Sequence, residues 1–442
     1  MTPGDEDLWF LPLGGCGEIG INMNLYGHAG RWLMVDCGIG FDRNKQPPAV
    51  IAAEPEFIAS RRDSLVGLVI THVHEDHIGG VAYLWPELQC PIYCTPFAAT
   101  ILRRKLREEG LVDRVPVHVI APGQSFAVAG FSLRWIAITH STPESQALEI
   151  ETSAGRVFHT GDWKLDNRPL VGPAYRPSDL QAIGQRGVRA MVCDSTCATV
   201  PGRTPSEGSL HPGLAQVIGG SRGRVIVACF GSNIARLRTL AEIAAETGRY
   251  AALLGRSLEN NVRAARVNGY WPEELELVNP YHLGYLPPEE VLAIATGSQG
   301  EARAALSRLA RGDHPALDLV ADDTVVFSAR RIPGNEEAVG LLRDRFEARG
   351  IEVIEAEDTP LTLHASGHPA RDDLADMYRW IQPALAVPVH GEPHHLEAHA
   401  DLAKDCGARA LRGSNGDLFM LAPVSGIRRA AAVTGRRILR RG

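Results

Sequence analysis

The chain has 442 residues, 45% of them hydrophobic and 22% charged, with a formal net charge of −7. This is the composition of an ordinary globular protein, long enough for two or three domains and a large core, and its acidic balance does not advertise a nucleic-acid binder. No apolar run approaches the roughly 18 residues of a membrane helix, and the acidic stretch Met1 to Asp7 has no basic-then-apolar leader pattern, so the cytoplasm is expected, with no membrane association.

The first motif is a decoy. Gly15-Cys16-Gly17-Glu18-Ile19-Gly20 formally matches a dinucleotide fingerprint, with Asp36 lying 21 positions after Gly15. Between them Met23 to Tyr26, Gly27 to Gly30 and Trp32 to Val35 predict a hairpin, which leaves no room for a crossover helix. The glycines are expected instead to let a loop pass close to a cleft.

Leu65 to Ile70 predicts a buried strand. It runs into His72-Val73-His74-Glu75-Asp76-His77, with Gly79-Gly80 opening the next element. A strand end followed by a tight loop aims alternate side chains at one point, and His and Asp suit zinc or a similar divalent ion. Glu75 alternates away from the ligands, toward solvent or a supporting contact.

More candidate ligands follow in the same setting. The predicted strand Phe131 to Thr139 ends at His140, Arg156 to Thr160 feeds Gly161-Asp162, and Leu385 to Val389 ends at His390-Gly391-Glu392. Strand ends are where open sheets place their sites. The set of five His and two Asp is too large for one ion. It fits two ions sharing a carboxylate, with a water between them; paired metals roughly 3.5–4 Å apart stabilise both oxygens of a phosphoryl displacement.

Between about 204 and 355 the pattern changes to strand–loop–helix units. Arg224 to Phe230 predicts a strand, and Ser232 then begins a helix with Ile234, Leu237, Leu240 and Ile243 on one face. Thr324 to Ser328 is another strand, followed by Pro333-Gly334-Asn335 and a helix through Leu341 and Phe346. This alternation predicts a parallel α/β sheet. Asp162 and His390 must meet at one site, so the segment is an insertion. The expected division is residues 1–203, an inserted 204–355, and a return over 356–442.

Several residues have plain roles. The eight cysteines form no C-x-x-C pair, since Cys90 and Cys94, like Cys193 and Cys197, are four apart; buried free thiols are expected. His159 is expected as a core histidine, and His394, His395 and His399 as solvated on a surface helix. His28, His118, His211, His282 and His314 sit in no motif. Arg330 and Arg331 read as a surface pair or as a channel wall touching RNA. Arg428, Arg429, Arg436, Arg437, Arg440 and Arg441 follow the last acid, Asp417, as a solvated tail or a phosphate-contacting arm.

The order H-x-H-x-D-H, His140, Asp162 and His390 resembles the metallo-β-lactamase fold in its nucleic-acid-processing branch, which carries an inserted β-CASP domain. The resemblance is closest to the ribonuclease J family. It runs through Gly14 to Gly20, Thr160 to Lys164, Asp194-Ser195-Thr196, Thr204 to Glu207, Thr296 to Glu301, Ile332 to Glu336, His364 to His368 and Pro388 to Glu392. It implies an α/β protein: an αββα sandwich with an inserted α/β domain.

The resemblance also implies roles. His72, His74 and His140 would hold one ion, Asp76, His77 and His390 the other, and Asp162 would bridge. The ions are expected to be Zn2+, with Mn2+ or Mg2+ as alternatives, and Asp76 counts with the catalytic groups. A water acidified between the ions would attack the phosphodiester. His368, oriented by Asp194, would protonate the leaving oxygen. Ser232, Asn233, His364, Ala365, Ser366, Gly367 and His368 would grip a 5′ phosphate near helix starts, one of them opening at Pro369. The implied activity is metal-dependent 5′-to-3′ exonuclease action on 5′-monophosphorylated single-stranded RNA, with endonuclease action as an accompaniment, in RNA processing and decay. The family continues into a linker and a small C-terminal domain beyond the last residues here, which leaves homodimer geometry open.

Two rivals remain. A lactonase or thioesterase on the same metal core would not need His364 to His368 or the insertion. A non-catalytic RNA-binding protein would not need seven metal ligands.

Overall fold

The computed structural model describes residues 1–42, 45, 48–331 and 334–439. Two large sheets face each other. The first has eight strands, with Leu8–Gly14, Met23–His28, Arg31–Val35 and Leu65–Val69 side by side at its centre. Met23–His28 and Arg31–Val35 pair antiparallel, as the hairpin predicts. The second has seven, running from Ser125–Val128 through Phe131–Ala137, Gln146–Thr152, Gly155–His159 and Ala190–Asp194 to Leu385–Val389 and Arg409–Ala410.

Apolar side chains of alternate strand positions fill the space between the sheets: Phe10, Tyr26, Leu33 and Val69 from one, Trp135, Ile150, Val192 and Val387 from the other. Helices Val81–Leu88 and Pro96–Glu108 pack on the outer face of the first sheet. Pro177–Gln185, Arg371–Ile381 and Pro393–Asp405 cover the second. The result is an αββα sandwich.

The chain leaves the second sheet after Ala190–Asp194 and returns beside it at Leu385–Val389, a parallel neighbour in which Asp194 pairs with Val389. Between these strands lies a five-stranded, all-parallel sheet in the order Tyr250–Leu254, Val291–Ala295, Val225–Ala228, Thr324–Phe327, Glu352–Glu355. Its helix Ile234–Glu246 buries Ile234, Leu237, Leu240 and Ile243 as the pattern predicts. In helix Glu336–Glu347 Phe346 is buried, but Leu341 faces outward at 49% exposure.

Three expectations need correction. The helix expected from Pro369 begins at Arg371, because Asp373 folds back onto the amide of Ala370 at 3.1 Å and also takes that of Thr204 at 2.9 Å. Arg429, Arg436 and Arg437 are held against the fold and do not form a solvated tail. Arg436–Ile438 adds a strand to Ala49–Ala53, Arg436 pairs with Glu18, Arg437 with Glu54 and Glu87, and Arg429 with Asp417. Arg440 and Arg441, like Ile332 and Pro333, lie outside the described residues. Finally, His395 and His399 are buried. His399 is fully enclosed, with Nδ1 2.8 Å from Ser195 Oγ and Nε2 2.8 Å from Tyr378 Oη, because the helix Pro393–Asp405 lays that face on the second sheet.

His159 is buried and bonded to Tyr26 at 2.9 Å, as expected for a core histidine. Cys406 is exposed, and the other cysteines are buried and unpaired. Among the described residues no helix is long and apolar enough to cross a membrane.

Candidate metal centre and catalytic cleft

The seven sequence-predicted ligands converge. His72, His74, His140 and Asp162 form one group whose donor atoms all lie within 4.8 Å of one another, and Asp76, His77, Asp162 and His390 form another. Asp162 belongs to both. Its Oδ2 is 3.8 Å from His72 Nε2 and 3.9 Å from His140 Nε2, and 3.2 Å from His77 Nε2. Its side chain is 3% exposed.

Strand ends do the positioning. Leu65–Val69 delivers the H-x-H-x-D-H loop, which closes into a short helix, Glu75–Ile78. Leu385–Val389 delivers His390, whose φ of 52° is left-handed backbone that costs a non-glycine residue roughly 1–3 kcal/mol. The amide of His390 donates to Gly15 O at 2.6 Å, which ties the glycine loop to the cleft. Gly38 must be glycine: a Cβ there would lie 1.7 Å from the carbonyl oxygen of Asp76.

Supporting groups fix which imidazole nitrogen faces inward. His77 Nδ1–H donates to Asp36 Oδ2 at 2.7 Å, and His140 Nδ1–H to the carbonyl of Gly367 at 2.6 Å. Thr71 Oγ1 donates to Asp36 Oδ2 at 2.8 Å, so it accepts from His72 Nδ1 at 3.0 Å. Thr196 Oγ1 donates to Asp194 Oδ1 at 2.7 Å and accepts from His390 Nδ1 at 2.9 Å. Each bond turns Nε2 inward as the candidate ligand atom, where that of His77 meets Asn22 Nδ2 at 2.9 Å and that of His390 meets Asp76 Oδ2 at 3.1 Å. Around His74, Nδ1 faces His72 Nε2 at 3.2 Å and His140 Nε2 at 3.0 Å. Three imidazole nitrogens thus point at one another, an arrangement that a shared cation would satisfy. The donor set fits a divalent metal.

Electrostatics divides the groups. Burial pushes His72 and His140 well below the usual imidazole range and His74 down to about 4, so all three are neutral, ligand-competent bases. Burial also opposes charge on His77 and His390. There the carboxylates win: Asp162, Asp76 and Asp36 raise His77 well above its ordinary value, and Asp162, Asp194 and Asp76 lift His390 to about 10.

His368 stands beside this centre. Its Nδ1 is 2.7 Å from Asp194 Oδ2 and 3.9 Å from Asp162 Oδ2. Burial opposes its charge, but Asp194 and Asp162 raise its pKa above the ordinary value. With Asp162, Asp194 and His390 it also forms a third group of potential ligands.

The expected phosphate-binding residues divide. Asn233 caps helix Ile234–Glu246: Oδ1 accepts from Arg236 N at 3.0 Å, and Nδ2 donates to Glu207 Oε1 at 3.1 Å, so the carboxamide is spent on the fold. Ser366 Oγ accepts from the His368 amide at 3.1 Å, and the Gly367 carbonyl serves His140. Ala365 is buried. His364 differs. Burial and nearby Arg236 push it down to about 3, and its buried Nδ1 has no hydrogen-bond partner. It follows Leu363, whose carbonyl accepts from Ser328 Oγ at 2.6 Å, and Ser328 in turn takes Arg236 Nη1 at 2.5 Å.

Asp36, Thr71 and Thr196 were not legible as site residues. Asp36 stands out in sequence only as the acid of the rejected fingerprint; its strand-end position was the available signal.

The sandwich, the inserted parallel sheet and the His/Asp cluster define a metallo-β-lactamase-fold hydrolase of the β-CASP kind. Residues 16–185 match the family model described as metallo-beta-lactamase superfamily, 222–346 that for ribonuclease J, beta-CASP domain, and 362–411 that for Zn-dependent metallo-hydrolase RNA specificity domain. The chain is 42% identical over 429 residues to the ribonuclease J of Sinorhizobium meliloti, covering 95% of this chain and 75% of that protein. It is 39% identical over 415 residues to that of Mycolicibacterium smegmatis, covering 92% and 72%. A crystal structure of a protein of unknown function from Enterococcus faecalis shares the fold, with a TM-score of 0.63 at 15% identity over 94% of this chain and all of that one. The chain belongs to the ribonuclease J family and is an RNA-binding nuclease of that type.

Proposed function

We propose that this chain is a dinuclear, zinc-dependent 5′-to-3′ exonuclease on 5′-monophosphorylated single-stranded RNA, with accompanying endonuclease action, working in the cytoplasm as a homodimer. The observation that supports two ions is the Asp162 carboxylate within 3.9 Å of imidazoles from both groups. His72, His74 and His140 would hold one ion, Asp76, His77 and His390 the other, and Asp162 both. When bound, such ions acidify a water and neutralise phosphate charge.

The chain's own groups do the rest. Asp194 orients His368 and favours its protonated form, and His368 supplies a proton to the departing 3′ oxygen. Gly367 holds His140 in place through its carbonyl. The orphaned Nδ1 of His364, with Ser232 at the start of helix Ile234–Glu246 and the Ser366–Gly367 turn, supports a terminal-phosphate pocket. A pocket at a fixed distance from the reacting phosphate measures from the RNA end. Asn233 serves there as the cap that shapes the helix start.

The test is purified protein with 5′-monophosphate, 5′-hydroxyl and 5′-triphosphate RNA, with and without chelator. Mononucleotide release is expected from 5′-monophosphate RNA and should stop on chelation. Equal rates on all three ends would defeat the exonuclease reading. Joint replacement of Ser232 and His364 by Ala should erase a preference on the order of 10²-fold, since each charge-assisted hydrogen bond is worth roughly 1.5–3 kcal/mol.

A further inference from the structure

The inserted sheet presents two adjacent arginines beyond the C-terminal end of strand Thr324–Phe327, and they have different partners. Arg331 is committed within the fold. Its Nε donates to Glu355 Oε2 at 2.9 Å, and Arg343 shares the same carboxylate at 3.2 Å. Arg330 is exposed and makes no ion pair among the described residues. Its backbone is nonetheless fixed: Gln299 Nε2 donates to its carbonyl at 2.9 Å, and Asn335 Nδ2 holds Gln299 Oε1 at 3.0 Å.

The anchored loop lies on the metal-centre side of the insertion. Two residues before Arg330, Ser328 Oγ bonds the carbonyl of Leu363, where the chain turns toward His368. The Arg330 charge also reaches Cys197 and His395, which flank the Asp194 and His390 strand ends. Cys197 Sγ is itself 3.5 Å from Ser366 Oγ. A cation left unpaired at this mouth, in a chain of net charge −7, has phosphate as its natural partner.

We infer that Arg330 is a contact for the ribose-phosphate backbone of RNA, standing on the inserted-domain side of the cleft. The inference rests on the RNA-cleaving reading above. It assigns the arginine pair one binding member and one structural member.

The test compares variants across monovalent salt from ~50 to ~200 mM, the range over which phosphate contacts weaken steeply. Binding of a fluorescent single-stranded RNA is followed by anisotropy, and cleavage of the same RNA by product release. Arg330→Ala should weaken binding several-fold at low salt and make the log–log salt slope shallower by about 0.7–1, the value for one lost phosphate contact. Arg330→Lys should restore the slope, because it restores the charge. Arg331→Ala should keep the wild-type slope and lower the melting temperature. An Arg330→Ala slope equal to wild type, or a slope change in Arg331→Ala instead, would overturn the assignment. Failure of the nuclease reading would show separately, as wild-type protein that binds this RNA and does not cut it.

Discussion

Two of the buried clusters of charged side chains are balanced differently. At the junction beneath the inserted domain, Arg236 is 1% exposed and its guanidinium is saturated: Nε and Nη2 on Glu207 at 3.0 and 2.9 Å, Nη1 on Ser328. Lys164 joins it, 3.5 Å from Asp166 and 3.8 Å from Glu207. Cations and carboxylates match, and despite burial Arg236 and Lys164 hold Glu207 down to about 2. At the metal centre Asp36, Asp76, Asp162 and Asp194 pair only with imidazoles among the described residues. One cluster neutralises itself and holds the fold. The other is short of positive charge, which a divalent cation would supply.

Asp162 carries the largest expected effect at the metal centre. Asp162→Ala should lose most bound metal and nearly all RNA hydrolysis while remaining folded, as read by elemental analysis and circular dichroism. Retained metal and rate would remove the bridging assignment. His368→Ala should come next. It should keep its metal and lose roughly 10²- to 10⁴-fold in rate, the range for a positioned acid or base. Metal loss in that variant would make His368 a ligand, which its place beside Asp162, Asp194 and His390 permits.

The junction should respond in the opposite sense. Arg236→Met removes the main partner of buried Glu207, leaving it Lys164 at 3.8 Å and the Asn233 carboxamide, and breaking a buried pair costs up to about 3–5 kcal/mol. Urea unfolding should show that loss while metal content per folded chain stays unchanged. The pH dependence has a definite sign. Glu207 is depressed from an ordinary 4.5 to about 2, so its contribution is complete above pH 4.5 and drains away as pH falls toward 2. Glu207→Gln should flatten that part of the stability profile.

These clusters were not equally legible in sequence. Four of the seven candidate ligands fall within His72 to His77, so local pattern marked that loop, while His140, Asp162 and His390 joined it as strand-end residues and took their roles from the family resemblance. The sandwich strands and the inserted parallel sheet followed from periodicity in the same way. Partners that depend on the folded path were hidden. Asp36 and Thr196 act on histidines 41 and 194 residues away. Glu18, Glu54 and Glu87 capture Arg436 and Arg437 near the far end of the chain, which corrected the solvated reading of those two residues. His399 failed for a related reason: a helix that looks polar still turns one face to the sheet.

The smallest effect belongs to a second contact across the same domain boundary. Tyr270 Oη donates to Glu144 Oε1 at 2.9 Å, while Glu144 Oε2 accepts the amide of Phe97 at 2.7 Å. Glu144 is buried, has a left-handed φ of 55°, and lies in the loop that follows His140. Asn268 adds a bond to Thr100 at 3.1 Å beside it. If the ionic junction is the main attachment of the inserted domain, this clasp is auxiliary. Tyr270→Phe removes one hydroxyl and leaves Glu144 still bonded to Phe97, so the cost should be about 1–3 kcal/mol, that of one under-satisfied buried acceptor. Metal content should not change, because His140 keeps its bond to Gly367. Unfolding experiments that place Tyr270→Phe level with Arg236→Met would show that the clasp and the junction share the load, and the contrast between a self-neutral structural cluster and the rest of the boundary would have to be redrawn.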